Sequence, residues 1–485
     1  MKRLYQGRRV ILTSCLPVQM QPKGFIGSTL NQKTLVAELN RALRIHQENK
    51  KDIIDLKEIY KNKQQIYERA SNAEDRLVNN MVAVAYPSAF TRQIVGYTYP
   101  SGIQFVPLTE EVRADVEKLN RFMKAEDKTA VDKIMENEQS IIGTHYRAIL
   151  PDALVPNECP FEILPLNAEN TFVAYSTYNR RKPVYSYHSF MVEETPGGLQ
   201  KFIHQVYTGN MCFVYKSDSE FSVQESDFVS ATPHILKDVP IIEYPNNEFR
   251  LGDWELGIDL FNAINVMTSD GLNDVEQAVL CYLVLLGVRT PNEEELKAMK
   301  KNKILNFEGA QGINQDAKFI TAQLDGQSAE LFRTYLENAI HTVVGIPDRN
   351  SSGGGDTGEA INAKNGWREI DTVAKNKAMF TEASERKLLR VALEILKPKY
   401  ISKSLSVLDV DIKIARNKDD NIQTKTQAGS TLYSMGVAKS DVAAIMDIST
   451  DIEGFTKRWE EAEQKKQANA NKKPQDSVPN TENIA

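Results

Sequence analysis

The hydrophobic pattern of this chain changes its period twice, and that change limits the folds open to it. Between Gln32 and Arg76 apolar residues recur at helical spacings, whereas between Thr144 and Tyr244 aromatic and β-branched residues alternate in short runs separated by turn residues. A helical pattern returns at Asp253 and extends to about Leu286. A period near 3.6 predicts amphipathic helices, and a period of two predicts half-buried strands. The sequence therefore predicts a mixed α+β, helix-rich fold with a β-rich part inserted between helices.

Shorter segments complete this prediction. The stretch from Leu77 begins with helical spacing and ends in an extended segment, Ile103 to Val106, and Thr109 is a suitable N-cap for a helix that reaches Asn137. Further along, the patterns predict a helix at Glu293 to Lys301, strands near Ile304 to Phe307 and Lys318 to Leu324, helices at Ser328 to Val344 and Glu359 to Lys397, a strand at Val407 to Ala415, helical structure from Asp419 to Lys466 and a disordered polar tail from Gln467 to Ala485.

The composition is that of an ordinary globular protein, with 41% hydrophobic and 26% charged residues. The longest apolar run, Ala278 to Val288, is well short of the ~20 residues that a membrane helix needs, so we expect a buried helix segment there and no membrane partner. The net charge of −6 argues against a tight grip on nucleic acid, because phosphate contacts need clustered Lys and Arg.

The sequence contains no residue set with the spacing of a common catalytic or metal site. Its four cysteines lie far apart and form no CxxC pair, which predicts ordinary reduced side chains. The six histidines share no ligand spacing, and neither an HExxH nor a GxSxG motif occurs. We therefore expect a protein that is not an enzyme, with no catalytic residue, no metal ligand and no cofactor.

A glycine-rich loop runs from Ser351 to Glu359, between two predicted helices. Its Gly353 and Gly358 have the spacing of a P-loop, but Glu359 stands where that motif needs a lysine and would repel a phosphate. Taken alone, the loop is typical of a flexible linker. Its length and its position before a very long helix make a functional loop the more plausible interpretation.

The helical segment that begins near Asp253 has an unusual charge pattern. No Lys or Arg occurs between Leu251 and Val288, where the acidic residues are Asp253, Glu255, Asp259, Asp270, Asp274 and Glu276. One interpretation is an ordinary amphipathic helix with acids near its start, where the helix dipole favours them. The other is a face that lies beside a polyanion and lets it slide, since a repulsive surface avoids salt-sensitive phosphate contacts.

Four short motifs follow one another in a characteristic order. They are Asn79-Asn80-Met81 leading to Ile94-Val95-Gly96-Tyr97; Val239-Pro240-Ile241-Ile242-Glu243-Tyr244-Pro245-Asn246-Asn247 followed by Gly252-Asp253 and a helix with Asn265, Ser269 and Asn273-Asp274; Val344-Gly345-Ile346-Pro347-Asp348 with Asn350-Ser351-Ser352-Gly353; and a long helix with Ala363-Lys364 and Lys375-Asn376-Lys377. In this order the motifs resemble the portal proteins (head-tail connectors) of tailed bacteriophages, in particular the siphophage-type family of phages that infect Gram-positive bacteria. The resemblance spans about Asp52 to Glu461.

This resemblance implies a subunit of a ring, typically of twelve copies, at the portal vertex of the virion capsid, assembled in the host cytoplasm. Double-stranded DNA would be packaged and later ejected through the ring, and the implied protein partners are terminase, scaffolding and major capsid proteins and a head-tail adaptor. The implied parts are a wing (helical at 1–138, β-rich at 139–250), a long wing and stem helix (251–288), an α/β clip (289–327), a second stem helix (328–344), a tunnel loop (345–358), a long wing helix and strand (359–418), a helical crown (419–466) and a disordered tail (467–485).

The resemblance also implies three groups of functional residues. The DNA-facing tunnel loop would comprise Asp348, Arg349, Asn350, Ser351, Ser352, Gly353, Gly354, Gly355, Asp356 and Thr357. The clip would dock the motor through Glu293, Glu294, Lys297, Lys300, Lys301 and Lys303, and the acidic stem helix would present Asp259, Asp270, Asp274 and Glu276. The alternatives are another capsid or connector ring component and, less favoured because no P-loop or carboxylate cluster is present, a DNA-packaging enzyme.

Overall fold

The computed structural model describes most of the chain. The described residues are 7–23, 27–69, 79–98, 102–152, 159–179, 182–193, 197–279, 282–286, 292–294, 297, 316–320, 326–347, 367–414, 422–446 and 452–470. The predicted strand at Ile304 to Phe307 and most of the predicted tail lie outside these ranges.

Helices account for most of the regular structure, as the sequence predicts. They are α1 (Gln32–Tyr60), α2 (Tyr86–Thr98), α3 (Arg113–Ala125), α4 (Lys128–Ile142), α5 (Ile258–Val279), α6 (Gly326–Val344), α7 (Trp367–Leu396), α8 (Ile422–Ser434), α9 (Lys439–Met446) and α10 (Ile452–Ala470). Asn31 caps α1 through a reciprocal pair of hydrogen bonds with Thr34, which places the start of this helix at the first residue of the helical pattern. Among the described residues, no helix is both long enough and apolar enough to span a membrane.

The β-rich part between Thr144 and Tyr244 is confirmed and divides into two sheets. The strands are β1 (Ile11–Thr13), β2 (Ile103–Pro107), β3 (Thr144–Pro151), β4 (Phe161–Leu166), β5 (Thr171–Ser176), β6 (Pro183–Glu193), β7 (Gln200–Tyr207), β8 (Met211–Ser217), β9 (Phe228–Pro233), β10 (Ile241–Pro245), β11 (Tyr282–Leu286), β12 (Asp316–Ile320) and β13 (Val410–Ile414). One sheet has the order β1-β5-β6-β7-β8-β9, antiparallel except for the parallel pair β1 and β5, and the other has the order β10-β3-β4.

Two smaller sheets join segments that are distant in the sequence. β13 pairs antiparallel with β2, so that Ile412 lies opposite Phe105, and β11 pairs antiparallel with β12. Three clusters of buried apolar side chains lie between these layers: α1 covers the six-stranded sheet, α4 packs near β3 and β10, and α7 packs along β10, β3 and β13.

The predicted helix from Asp253 to Leu286 is wrong at both ends. α5 begins at Ile258, after a single 3-10 turn, and it ends at Val279. Tyr282–Leu286 is a strand whose Leu283 lies opposite Phe319 of β12, so the buried helix expected at Ala278 to Val288 is wrong too. A short apolar run fits a helix and a strand equally well, and its antiparallel partner decides between them.

Three other predicted boundaries also change. The predicted helix from Thr109 to Asn137 is two helices, because the backbone at Asp127 adopts a left-handed conformation with φ of 46° and breaks it. Helix α2 begins at Tyr86 rather than near Leu77. The helical segment after Asp419 consists of three helices, and the last continues to Ala470, four residues past the predicted end.

A buried ionic network joins three of these elements. Arg147 of β3 places its Nη1 atom 2.8 Å from Asp132 Oδ1 of α4 and 3.0 Å from Glu385 Oε1 of α7. Lys128 Nζ lies 2.9 Å from Asp132 and 3.3 Å from Glu385, and the Tyr244 hydroxyl donates to Glu385 at 3.0 Å. Burial alone would raise the pKa of Asp132, but Lys128 and Arg147 hold that pKa below its usual range. Asp132 therefore remains ionised although it is buried.

We expect the Arg147→Ala variant to lower the free energy of unfolding by about 3–5 kcal/mol, because two carboxylates would lose a buried cation. Arg121→Ala, on the exposed side of α3, is the matched control and should change the free energy of unfolding by less than about 0.5 kcal/mol. Denaturant unfolding of both variants measures the difference. Equal stability of the two variants would contradict the role assigned to the network.

Candidate interaction site on the long helix

One polar stripe of α5 holds an extended segment of the chain. Three side chains spaced four residues apart accept hydrogen bonds from alternate backbone N–H groups of residues 80–84. The pairs are Asn265 Oδ1 with Val84 at 2.8 Å, Ser269 Oγ with Val82 at 3.0 Å and Asn273 Oδ1 with Asn80 at 2.6 Å. We call residues 80–84 the strap.

The match between helix and strap is geometric. Four residues of an α-helix advance about 6 Å, and two residues of an extended chain advance about 6.5 Å. Side chains at every fourth helical position can therefore meet every second N–H group of an extended segment. Because Asn265, Ser269 and Asn273 are all buried, the strap satisfies polar groups that would otherwise lose their hydrogen bonds to water.

Further contacts tie the neighbouring chain to the same helix. Gln64 Nε2 donates to the Val84 carbonyl at 2.8 Å, and Asn265 Nδ2 donates to Gln64 Oε1 at 2.5 Å. Arg69 forms an ion pair with Asp270 at 2.8 Å. The strap is thus held at both its carbonyl and its N–H groups.

Several acidic residues of this region have partners within the subunit. Asp253 pairs with Lys377 at 3.0 Å, Glu255 with Arg8 and Asp270 with Arg69, and Glu276 accepts a hydrogen bond from the Asn80 amide at 2.7 Å. On α5, the side chains of Asp259, Asp274 and Glu276 are exposed. Much of the acidic character that the sequence shows is therefore neutralised locally. A role for Asp259 and Asp274 beside DNA stays a prediction.

Helices α5 and α6 pack together and expose apolar side chains elsewhere. Their shared core includes Phe261, Ile264 and Ile340. On the exposed surface Phe332 stacks on Tyr335 with ring centroids 6.3 Å apart. The other large apolar side chains exposed on these two helices are Val266, Leu272, Val275, Leu331 and Val343. An exposed aromatic pair such as Phe332 and Tyr335 is typical of a protein–protein contact.

Part of the predicted clip and one end of the predicted tunnel loop are described. Glu293, Glu294 and Lys297 are exposed, whereas Lys300, Lys301 and Lys303 lie outside the described residues. Helix α6 ends at Val344, and the left-handed φ of 70° at the following Gly345 lets the N–H groups of Gly345 and Ile346 both donate to the His341 carbonyl. The loop residues Asp348 to Thr357 also lie outside the described residues.

Sequence reasoning missed the strap. Asn80, Asn265, Ser269 and Asn273 are part of the motifs quoted from the sequence, but no role was assigned to them. The spacing of three polar residues at every fourth position, which places them on one face of a helix, is the signal that marks such a stripe. The pairing of Arg69 with Asp270 has no comparable signal, since the two residues lie 201 positions apart in the sequence.

Comparison with family models assigns the chain to a class of structural proteins from bacteriophage particles. The family described as "Phage portal protein, SPP1 Gp6-like" matches residues 39–474, and the chain belongs to that family. This match confirms the resemblance inferred from the four motifs. No curated protein matches the chain.

We expect Asn265→Ala to lower the free energy of unfolding by about 1–3 kcal/mol, because the Val84 N–H group and Gln64 would lose a buried partner. Asn262→Ala, one turn earlier and partly exposed, removes only a 3.3 Å contact with Gln65 and serves as the control. Limited proteolysis followed by mass spectrometry should show faster cleavage near the strap in Asn265→Ala alone. Unchanged cleavage would mean that the strap does not depend on this ladder.

Proposed function

We propose that this portal-family protein forms a ring, typically of twelve subunits, whose central channel carries double-stranded DNA into the capsid during packaging and out of it during ejection. The observation that carries the proposal is the family match, which extends over residues 39–474 and so includes the β-rich part, the helix pair and most of the C-terminal helices. The ring would occupy the portal vertex of the virion after assembly in the host cytoplasm.

The path of the chain through α5 and α6 supports a stem and a clip. α5 has 22 residues and is therefore about 33 Å long. It leads into β11, and the antiparallel partner β12 leads back into α6, which packs beside α5. Two adjacent helices that carry a small sheet at one end suit a projection from the body of the subunit. On this proposal, residues 289–327 dock terminase and later the head-tail adaptor.

The exposed apolar surface of α5 and α6 supports contacts between neighbouring subunits. A closed ring uses heterologous contacts, in which one surface of each subunit meets a different surface of the next. Phe332 and Tyr335 provide two aromatic side chains, 56% and 66% exposed, that a neighbour could bury. Scaffolding and major capsid proteins would contact the outer surface of the assembled ring.

The few charges of the tunnel loop favour a weak contact with DNA. The tunnel loop contains only Asp348, Arg349 and Asp356 as charged residues between Gly345 and Gly358. A loop with one cation and two anions releases few counterions when DNA passes, so it contacts the duplex without holding it.

Electron microscopy of the purified protein tests the ring. We expect rings with a central channel at micromolar concentration, and a double variant with Phe332→Asp and Tyr335→Asp should yield mostly monomers because buried carboxylates would replace the aromatic pair. Leu199→Asp, at an exposed position in the β6–β7 turn, is the control and should still form rings. A wild-type protein that stays monomeric under these conditions would overturn the proposal.

A pair of variants separates the two proposed roles of loop and clip. Deletion of residues 351–355 should leave rings and terminase binding intact but impair DNA packaging, because the DNA-facing loop would be too short. Charge reversal of Lys297, Lys300 and Lys301 should instead weaken terminase binding in a pull-down while rings still form. Normal packaging by the deletion variant would refute the role of the loop, and normal binding by the charge-reversal variant would refute the docking surface.

A further inference from the structure

A cavity with a half-buried lysine lies where the two large sheets meet α7. Its volume is ≈ 270 Å³, and its walls come from β5, the turn between β5 and β6, the start of β10 and one face of α7. Apolar side chains that line it include Val173, Val239 and Ile241. None of its lining residues belongs to α5, to α6 or to the predicted tunnel loop or clip.

Lys387 is the central cation of this cavity. Its ammonium group lies over the ring of Tyr175, 5.6 Å from the centroid. Burial lowers the pKa of Lys387, and nearby Glu243 and Asp238 oppose that shift through space. Within the part of the chain that the structure describes, no carboxylate forms an ion pair with Lys387. The Lys387 side chain is half-buried, so an anion bound beside it would compensate the partial desolvation of its ammonium group.

The two carboxylates of the cavity are already engaged elsewhere. Both carboxylate oxygens of Glu243 accept hydrogen bonds from Arg250, at 2.9 and 3.0 Å. Glu243 also accepts a hydrogen bond from the Thr144 hydroxyl at 3.3 Å. Asp238 accepts from the Val239 N–H group at 2.8 Å and from Arg390 at 3.4 Å. Glu243 is therefore paired with Arg250 and Asp238 with Arg390, and both carboxylates act on Lys387 only through space.

Two further cations lie on the solvent side. Lys182 is exposed, and the Arg390 side chain is 55% exposed while it lines the same cavity. Three cations and two carboxylates, each carboxylate paired with an arginine, thus line the cavity, and most of the remaining wall is apolar. We propose that this cavity binds an aliphatic carboxylate, with Lys387 as the ion-pairing group, Arg390 and Lys182 as the cations at its entrance, and the apolar walls around the methylene groups.

The shape of the donor set favours a carboxylate over a phosphate. A phosphate has several strong acceptor oxygens and is usually bound by clustered backbone N–H groups or bidentate arginines. Here one ammonium group lies inside and the flexible cations lie at the entrance, which suits a single carboxylate on a short apolar stem. Such a group occurs in a glutamate or aspartate side chain of another protein and in free dicarboxylic acids.

Lysine acetylation measured by mass spectrometry tests this site, with glutarate as the probe. A bound carboxylate that raises the pKa of Lys387 by about one unit lowers its free-amine fraction, and hence its acetylation rate at neutral pH, about tenfold. Lys399 is the internal control, because its ammonium group also lies over a tyrosine ring, 5.3 Å from the Tyr400 centroid, but is exposed and outside the cavity. We expect glutarate to slow acetylation of Lys387 and to leave Lys399 unchanged.

Comparison arms identify the chemistry and its source. Glutaramide, which has no charge, should give no protection, and Arg390→Met should weaken protection by glutarate without changing the fold. Protection of Lys387 in purified rings but not in monomers, without added glutarate, would support the site and place its carboxylate on the neighbouring subunit.

Equal acetylation of Lys387 with and without glutarate in monomers would overturn the proposal. Protection by inorganic phosphate as strong as that by glutarate would overturn the preference for a carboxylate.

Discussion

The buried charge network around Arg147 is the constraint on which the packing of β3, α4 and α7 depends. It joins these three elements, and its Arg147 and Glu385 lie 238 residues apart in the chain. Taking these charges out of water is costly, and only close pairing with Asp132 and Glu385 offsets that cost. A shift of α7 by one turn would separate Glu385 from Arg147, so the network permits only one register of the long helix against the sheet. The apolar contacts between the same elements are less selective.

The long helix α5 stabilises its own subunit through its polar stripe and also exposes apolar side chains. Its stripe of Asn265, Ser269 and Asn273 binds the strap, and Asp270 binds Arg69, so these residues stabilise the subunit itself. The same helix leaves apolar side chains exposed beside those of α6. An isolated subunit therefore satisfies the hydrogen bonds of this stripe but retains apolar surface that a neighbour could cover. The combination of internal hydrogen bonds and exposed apolar surface is consistent with a family whose members are structural components of a phage particle.

Much of the architecture was predictable because it depends on local periodicity. The alternation between Thr144 and Tyr244 indicated strands, and the helical pattern at Ser328 to Val344 matches α6 almost to the residue. The prediction failed at Tyr282–Leu286, where an apolar run became a strand through pairing with Asp316–Ile320. The acidic residues between Asp253 and Glu276 were correctly recognised as a pattern, but their partners were not, since Lys377, Arg8 and Arg69 are all remote in sequence. Side-chain partners across such distances leave no periodic signal.

The sequence by itself determined the class of fold, the alternation of helical and β-rich parts and, through the order of four motifs, the portal family. These properties follow from spacings within short windows, where backbone geometry dictates which side chains share a face. Only the tertiary structure decided which acidic residues are neutralised, which strand pairs with Tyr282–Leu286 and that Lys387 faces a cavity without an ion-pairing partner. Each of these depends on the distance between residues far apart in the chain, and electrostatic and packing energies depend on that distance rather than on sequence position.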